Sequence, residues 1–336
     1  MEQRTLVTST RGTREQHASV VGLGTWQLGA DWGEVSESDA RDVLEASAER
    51  GVRFYDTADV YGDGRSEQIV GRFLAAHPAA GFTVATKMGR RAEQVPENYV
   101  AAHFREWIDR SRTNLGVDTV DLVQLHCPPS ATIDDDRTYD ALDALVEDGS
   151  IAAYGVSVET AAQALSAIAR PNVASVQVIL NAFRLKPLDE VLPAARAAGV
   201  GIIARVPLAS GLLSGRYDRD TTFAPDDHRT YNRDGSAFDV GETFSGVDFE
   251  TGVQAAQDFS RLVATEAPEG VTPAQAAIAW IWQQPGVTTV IPGARNTEQA
   301  RANAAAGDVA TLGEDFLAGV QDLYDARIRP AVHDRW

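Results

Sequence analysis

Two kinds of segment alternate along most of the chain. Short runs rich in β-branched and aromatic residues are each followed by a longer stretch in which apolar residues recur at helical spacing. The runs predicted as strands are Ser19–Trp26, Val52–Tyr55, Phe82–Thr86, Val120–Leu125, Ala152–Ser157, Ser175–Asn181, Val200–Arg205 and Thr288–Ile291. Because these runs are mostly apolar and do not alternate with polar residues, they favour a parallel sheet that is covered on both faces.

Capping residues delimit the helices between these strands. The predicted helices are Ser36–Arg50, Ser66–Ala76, Pro96–Leu115, Tyr139–Glu147, Thr160–Ala169, Leu188–Ala198, Thr251–Thr265, Thr272–Gln284, Thr297–Ala306 and an extra C-terminal helix, Glu314–Arg327. Eight β-then-α units fit an α/β fold of the (β/α)8 TIM-barrel type better than a doubly wound sheet, which has fewer strands. Since no linker interrupts the pattern, residues 1–336 are predicted to form one domain.

Two segments fall outside the alternation. Residues 1–18 are polar and are expected to form an irregular cap. Residues 214–249, after the seventh predicted strand, are polar and lack a sustained period. A loop of this length is uncommon unless it is functional, so it is a candidate lid or clamp.

Composition narrows the class of protein. The formal net charge is −18, from 30 basic and 48 acidic residues, so a nucleic acid or an anionic membrane would be repelled. No apolar run approaches the ~18 residues that span a bilayer, and the first residues do not resemble a signal peptide. A single cysteine, Cys127, excludes an internal disulfide and a CxxC metal site. We expect a cytoplasmic protein; its oligomeric state stays open.

Four ionisable residues lie at the ends of three neighbouring strands. Asp56 and Tyr61 follow the second predicted strand, Lys87 the third and His126 the fourth. In a barrel these ends meet at one rim. A tyrosine is a weak acid with a pKa near ~10, and a lysine in contact with it favours the phenolate. An aspartate would orient the lysine, and a histidine would bind the oxygen that receives the proton. Such a set suits protonation of a carbonyl oxygen while a cofactor supplies a hydride.

Competing motifs are weak. Gly22 and Gly24 follow a strand as in a dinucleotide-binding fingerprint, but the next glycine, Gly29, has the wrong spacing. There is no HExxH, phosphate-binding P-loop or CxxC motif, and His126 has no HxH partner. A metal-dependent barrel hydrolase therefore remains only a remote alternative. Trp26 and Trp32 are predicted either to line an apolar pocket or to pack in the core.

The order and spacing of several short motifs resemble one enzyme family. The motifs are Gly22–Trp26, Phe54–Ala58 with Tyr61–Gly62, Thr86–Lys87, Leu125–His126, Gly155–Ser157, Gln177 with Asn181, Pro207–Gly215 and Val290–Asn296. From about residue 20 to residue 306 the chain resembles the aldo-keto reductase superfamily, in its bacterial, NADP-dependent form. The resemblance implies a catalytic tetrad of Asp56, Tyr61, Lys87 and His126, with Tyr61 as the general acid.

The resemblance also implies that NADP(H) lies across the mouth of the barrel. The residues it assigns to the cofactor are Thr25, Trp26, Asp56, Ser157, Gln177, Arg205, Pro207, Leu208, Gly211, Leu213, Gly215, Arg216, Gly293, Arg295, Gln299 and Asn303. Ser157 and Gln177 would hold the nicotinamide carboxamide, and Arg295 the 2′-phosphate. Glycines in the segment 210–215 would let backbone amides approach the pyrophosphate.

Two positions depart from the family pattern. Val158 stands where many members have asparagine, and Arg205 where a tyrosine often stacks on the nicotinamide. A guanidinium plane also stacks on rings, but it brings a charge. The residues 214–249 resemble the variable cofactor-covering loop of bacterial members.

The resemblance predicts an NADPH-dependent oxidoreductase that reduces an aldehyde or ketone to an alcohol. Its partner would be a small carbonyl compound, with no nucleic acid or membrane involved. The alternative is a nucleotide-binding regulatory subunit resembling the β subunits of potassium channels, which also keep a tetrad.

Overall fold

Eight parallel strands form a closed barrel. The computed structural model describes residues 1–29, 35–237 and 239–336. The barrel strands are β3 (Leu23–Gly24), β4 (Phe54–Asp56), β5 (Thr83–Met88), β6 (Leu122–His126), β7 (Tyr154–Ser157), β8 (Val173–Ile179), β9 (Gly201–Arg205) and β10 (Thr289–Val290). Each pairs with the next in sequence order. Parallel bridges from Val21 to Val290 and from Gly24 to Gly293 join the first strand to the last. The predicted (β/α)8 barrel is therefore confirmed.

Helices surround the barrel and connect its strands. They are α1 (Glu37–Glu49), α2 (Arg65–Ala76), α3 (Ala101–Leu115), α4 (Ser130–Asp134), α5 (Asp136–Glu147), α6 (Ala161–Ile168), α7 (Val191–Ala198), α8 (His228–Tyr231), α9 (Phe249–Glu266), α10 (Pro273–Trp282), α11 (Thr297–Ala305), α12 (Glu314–Leu323) and α13 (Arg329–Val332). Capping side chains and left-handed glycines mark several of the helix ends. Ser36, Thr160 and Thr272 accept hydrogen bonds as N-caps, and left-handed Gly116 and Gly199 close α3 and α7. No helix in the described part of the chain is both long and apolar enough to cross a membrane.

The N-terminal segment is more regular than its polar sequence predicted. Strands β1 (Gln3–Val7) and β2 (Gln16–Ser19) pair as an antiparallel hairpin. Leu6, Val7 and Ala18 of this hairpin are buried in one cluster with inward-facing barrel residues such as Phe54 and Ile203. A Cβ at Gly201 would lie 2.5 Å from the Leu6 carbonyl oxygen, so the close approach requires glycine. The hairpin therefore closes the end of the barrel opposite the strand C-termini.

Element boundaries differ from the prediction where the chain changes direction. The predicted first strand, Ser19–Trp26, divides into the end of β2 and the short β3, because the chain passes there from the hairpin into the barrel. The predicted C-terminal helix ends at Leu323 and continues as a π-helical turn, Tyr324–Ile328. The small helix α4 was missed, because its flanking Pro128 and Pro129 suggested only a loop.

The described residues of the segment 214–249 form short helical turns over the strand C-terminal end of the barrel. They contain α8 and the 3₁₀ turns Val240–Glu242 and Phe244–Gly246, after a 3₁₀ segment, Ala209–Ser214. The predicted helix Thr251–Thr265 follows directly as α9. The side chains of Tyr217, His228, Arg229 and Glu242 thereby reach the wall of the cleft at the barrel mouth.

Candidate active site

The four ionisable residues predicted at strand ends meet at one point. Asp56 ends β4, Lys87 lies in β5 and His126 ends β6, so parallel pairing places all three at the same rim. The Lys87 ammonium forms an ion pair with Asp56 Oδ1 and donates to the Thr57 carbonyl at 2.8 Å. It also donates to the Tyr61 hydroxyl at 3.4 Å. The His126 ring meets the Tyr61 ring edge-on, with centroids 6.0 Å apart.

Two glutamines hold the other oxygen of Asp56. Gln124 Nε2 and Gln177 Nε2 donate to Asp56 Oδ2 at 3.0 and 2.9 Å. Gln177 had been assigned to the nicotinamide; its amide nitrogen here serves Asp56, and its Oε1 accepts from Ser157 Oγ at 3.4 Å. Gln124 was missed, because it stands inside an otherwise apolar strand. With both oxygens occupied, Asp56 is fixed as the acceptor that orients Lys87.

The pKa of Tyr61 differs from the value expected from the sequence. Burial raises the pKa of Tyr61 above its ordinary value, although Lys87 acts in the predicted, lowering direction. Burial opposes the charge of Lys87, but Asp56 and Tyr61 raise the pKa of that ammonium. Burial and the nearby charges of Arg90, Lys87 and Arg205 hold the pKa of His126 well below its ordinary value. At neutral pH the site therefore contains a protonated phenol, a charged lysine and a neutral imidazole.

A cleft of about 800 Å³ leads away from the tetrad along the barrel mouth. Its wall includes Tyr61, His126 and most residues assigned to the cofactor: Thr25, Trp26, Asp56, Ser157, Gln177, Arg205, Pro207, Leu208, Gly211, Arg216, Gly293, Arg295, Gln299 and Asn303. Leu213 and Gly215 do not line it, since Leu213 is buried in the core and Gly215 faces outward at the end of the 3₁₀ segment. Lys87 lies beneath the wall, and Asn181 is turned inward to the Val206 carbonyl.

The far end of the cleft is rich in arginine and in helix N-termini. Arg216, Arg229 and Arg295 line it, together with the first turns of α10 and α11. Burial and the neighbouring charge of Arg229 lower the pKa of Arg295. Arg229 forms an ion pair with Asp227, so the attraction for an anion comes mainly from the other guanidiniums and the helix N-termini. Arg229 was missed because its segment lacks periodicity.

Two glycines predicted to contact the cofactor leave no room for a side chain without movement of a neighbour. A Cβ at Gly293 would lie 2.2 Å from Gln27 Oε1, and one at Gly211 would lie 2.3 Å from the Tyr217 hydroxyl. Gly211 also has a φ of +96°, which side chains rarely adopt. A side chain at either position would therefore displace Gln27 or Tyr217, which both line the cleft.

The cleft is bordered by unusual backbone. Cys127, Val206, Ala209 and Ser210 have φ angles of 51°, 53°, 47° and 56°. Such conformations cost about 1–3 kcal/mol each and cluster at functional sites; for a β-branched residue such as Val206 they are especially rare. The strain supports the assignment of the strand ends of β6 and β9 to a functional site.

Arg205 lies at the tetrad end of the cleft and is tied to the loop above it. It is 7% exposed, forms an ion pair with Glu242, and donates to the Val158 carbonyl at 3.1 Å. Burial disfavours its charge, but Glu242 and Cys127 raise the pKa of Arg205. Glu242 comes from the loop 214–249 and was missed, because nothing in the sequence links it to Arg205. The neighbour of Ser157 is Val158, whose carbonyl supplies this contact.

Trp26 lines the cleft rather than the core. Its ring lies 6.4 Å from that of Tyr61 and 5.4 Å from that of His228. It therefore forms an aromatic wall beside the tetrad. Trp32, the other candidate, lies outside the described residues.

A model of the "Aldo/keto reductase family" matches residues 20–325. The chain belongs to the aldo/keto reductase family. The resemblance drawn from the sequence is thus confirmed, and with it the assignment to the oxidoreductases.

Relatives in this family cover almost the whole chain. "Uncharacterized oxidoreductase YqkF" of Bacillus subtilis (strain 168) is 28% identical over 94% of this chain and 97% of its own. A "Probable voltage-gated potassium channel subunit beta" of Arabidopsis thaliana is 28% identical over 88% of this chain and 89% of its own.

Solved structures of aldo-keto reductases superpose on the barrel. The glycerol dehydrogenase AKR11B4 of Gluconobacter oxydans matches with a TM-score of 0.77 and 29% identity, over 97% of this chain and 95% of its own. An aldo-keto reductase of Klebsiella pneumoniae in complex with NADPH matches with a TM-score of 0.69 and 25% identity, over 96% of both chains.

Proposed function

We propose that the protein is an NADPH-dependent reductase that converts an aldehyde or ketone into an alcohol. One observation carries this proposal: Lys87 contacts both Asp56 and the Tyr61 hydroxyl at the base of a long cleft. The relative solved with NADPH supports the choice of cofactor.

The residues of the cleft fit a dinucleotide phosphate. The cavity extends from the tetrad to the arginines beside α10 and α11, which suits a ligand with a reactive ring at one end and phosphates at the other. A side chain at Gly211 or Gly293 would collide with Tyr217 or Gln27 at the wall of this cavity. We assign Arg295 to the 2′-phosphate and the segment 210–215 to the pyrophosphate, with contacts from Ser210, Gly211 and Ser214, which line the cleft.

The tetrad performs the proton-transfer half of the reaction. When bound, NADPH supplies the hydride that adds to the carbonyl carbon. Tyr61 donates its hydroxyl proton to the carbonyl oxygen, so that an alcohol and a tyrosinate result. Lys87 stabilises the tyrosinate, and Asp56 keeps Lys87 charged and aimed. The neutral His126 faces the same oxygen and orients it by a hydrogen bond.

Tyr61→Phe tests this role. We expect kcat for carbonyl reduction to fall by about 10²–10⁴-fold, the usual contribution of a general acid. NADPH affinity, measured by fluorescence titration, should change little, since the phenylalanine keeps the ring. Tyr139→Phe is a matched control, because Tyr139 donates to the Ile133 carbonyl away from the cleft. Retained turnover in Tyr61→Phe would refute the assignment.

The regulatory-subunit alternative has one observation in its favour, the similarity to a protein described as a potassium channel β subunit. It predicts NADPH binding without turnover. If a broad panel of carbonyl compounds gives no NADPH oxidation, and the protein instead co-purifies with a membrane partner, this alternative replaces the first. A cytoplasmic location, the absence of nucleic-acid partners and a one-domain organisation remain predictions from composition and pattern.

A further inference from the structure

Two buried acids lie near each other at the loop that carries Tyr61. Asp59, in that loop, and Glu67, on α2, both have no exposed surface. Glu67 is satisfied: its two oxygens accept from Thr86 Oγ1 at 2.6 Å and from Asn114 Nδ2 at 2.8 Å. Among the described residues, no side chain donates a hydrogen bond to either carboxyl oxygen of Asp59, and the Val60 amide beside it has only a minor effect. A buried carboxylate without partners is costly, whereas the neutral acid is much cheaper to bury.

The cations nearest Asp59 are engaged elsewhere. Arg91 and Arg110 donate to its backbone carbonyl at 3.4 and 3.1 Å. Both pair instead with the carboxylate of Asp63, at 2.6 and 2.8 Å, on the exposed side of the loop. The other titratable groups near Asp59 are Glu67 from α2 and Tyr99 from the segment before α3. In the part of the chain that the structure describes, no direct ion pair compensates a charge on Asp59.

The local environment therefore favours a proton on Asp59. Burial is the main cause and repulsion by Glu67 the second, while Arg91, Arg110 and the Val60 amide act against them. Burial and Glu67 outweigh the opposing groups, and the pKa of Asp59 is raised to about 7.

The backbone of Asp59 connects two members of the tetrad. Its amide donates to the Lys87 carbonyl at 3.1 Å, and Tyr61 follows two residues later, with its amide bonded to the Ala58 carbonyl at 3.1 Å. A displacement of Asp59 would thus move the Tyr61 hydroxyl, which already lies at 3.4 Å from Lys87 Nζ.

We propose that Asp59 is a positioning residue whose neutral carboxylic acid lets the loop 57–64 pack against Glu67 and hold Tyr61 against Lys87. Ionisation of Asp59 loosens this packing and lowers activity. The inference rests on the proposed function, since it matters only if Tyr61 is the acid.

Because the pKa of Asp59 is raised in the folded protein, the effect of this residue on stability changes with pH. An aspartate in the unfolded chain titrates near ~3.9. The stabilisation of the folded protein by protonated Asp59 is thus fully present below that pH, and it is lost as pH rises through about 7. Tyr61 cannot produce a loss of activity in this range, because burial raises the pKa of its phenol above the ordinary value.

The experiment compares pH profiles of kcat/KM between pH 6 and 8.5 for the wild type, Asp59→Asn and Asp325→Asn. Asp59→Asn carries a neutral group at every pH, so its profile should stay level where the wild type loses about tenfold. Asp325→Asn is the control, since its carboxylate is half-exposed and pairs with Arg329 in the C-terminal helical segment, away from Asp59, and it should follow the wild type. Thermal unfolding at pH 5.5 and 8.5 supplies a second readout: the advantage in Tm of Asp59→Asn over the wild type should be larger at pH 8.5 than at pH 5.5.

If Asp59→Asn does not fold, Glu67→Gln provides a second test of the role of Asp59. Removing the neighbouring charge should move the alkaline loss of the wild type to lower pH. A wild-type profile that is level to pH 8.5, or the same loss in Asp59→Asn as in the wild type, would overturn the role of Asp59 while leaving the reductase intact. If the wild type reduces no carbonyl compound at any pH, the proposed function itself fails.

Discussion

The ion pair between Arg205 and Glu242 anchors the loop 214–249 to the barrel, and Glu242→Gln is predicted to destabilise the protein. The side chains are 9% and 14% exposed, so the pair is shielded from solvent. The Glu242 carbonyl also accepts from Ser210 Oγ at 2.9 Å. The substitution keeps the shape of the side chain and removes only its charge, which leaves the Arg205 guanidinium without its carboxylate.

The size of the effect follows from what Arg205 retains. Breaking a buried pair by removing one partner costs about 3–5 kcal/mol. Arg205 keeps the Val158 carbonyl and the nearby charges of Glu159 and Asp239, so we expect the lower end, about 3 kcal/mol. With about 2.1 cal/mol/K of unfolding entropy per residue, 336 residues convert this into a fall in Tm of roughly 4 °C.

Calorimetry at pH 7 provides the assay, with Glu250→Gln as the control. Glu250 pairs with Arg219 at 3.4 Å, but these side chains are 61% and 67% exposed, so its loss should cost under about 0.5 kcal/mol. The double variant Arg205→Met, Glu242→Leu should return toward wild-type stability, since no buried charge is left alone.

The pH dependence gives a second check. Burial opposes ionisation of Glu242, but Arg205 and Arg90 hold its pKa below the usual value. Its contribution is thus present above the unfolded-state pKa, near ~4.3, and is lost as pH falls through the lower folded-state value. If Glu242→Gln is no less stable than Glu250→Gln at pH 7, the reasoning about the buried pair is wrong.

Two further predictions concern the tetrad and the cofactor. Gln124→Leu removes one of two donors to Asp56 Oδ2, so kcat should fall by about tenfold with NADPH affinity unchanged; steady-state kinetics with unaltered kcat would contradict this. Arg295→Met should weaken NADPH binding by about 10–100-fold and leave NADH binding unchanged, because only NADPH carries the 2′-phosphate. Fluorescence titration with both cofactors measures this, and an equal loss for both would remove the assignment.

The residues predicted from the sequence are those that carry a local cue. Asp56, Lys87 and His126 each end an apolar strand, and the parallel order of the strands then brings them to one rim. Tyr61 could be added because Asp and Gly around it exclude a helix. The barrel itself followed from eight repeats of one pattern, each readable within its own segment.

The residues that were missed depend on contacts between distant segments. Glu242 pairs with Arg205 across a loop without periodicity, and Arg229 reaches Arg295 from a different barrel unit. Gln124 did offer a signal. It stands two residues before His126 in the same strand, so the two side chains point to the same face. A polar residue at such a position predicts a partner inside the barrel.

The distribution of charge reconciles an acidic chain with an anionic cofactor. The net charge of −18 acts at long range, where salt screens it beyond about 8 Å. At one end of the cleft Arg216, Arg229 and Arg295 lie together with helix N-termini and offset the nearby acids Asp227, which pairs with Arg229, and Glu298. Burial keeps such contacts less screened than surface pairs. Cofactor affinity should therefore depend on these arginines far more than on the net charge, and substitutions of acidic residues on the outer helices should leave it unchanged.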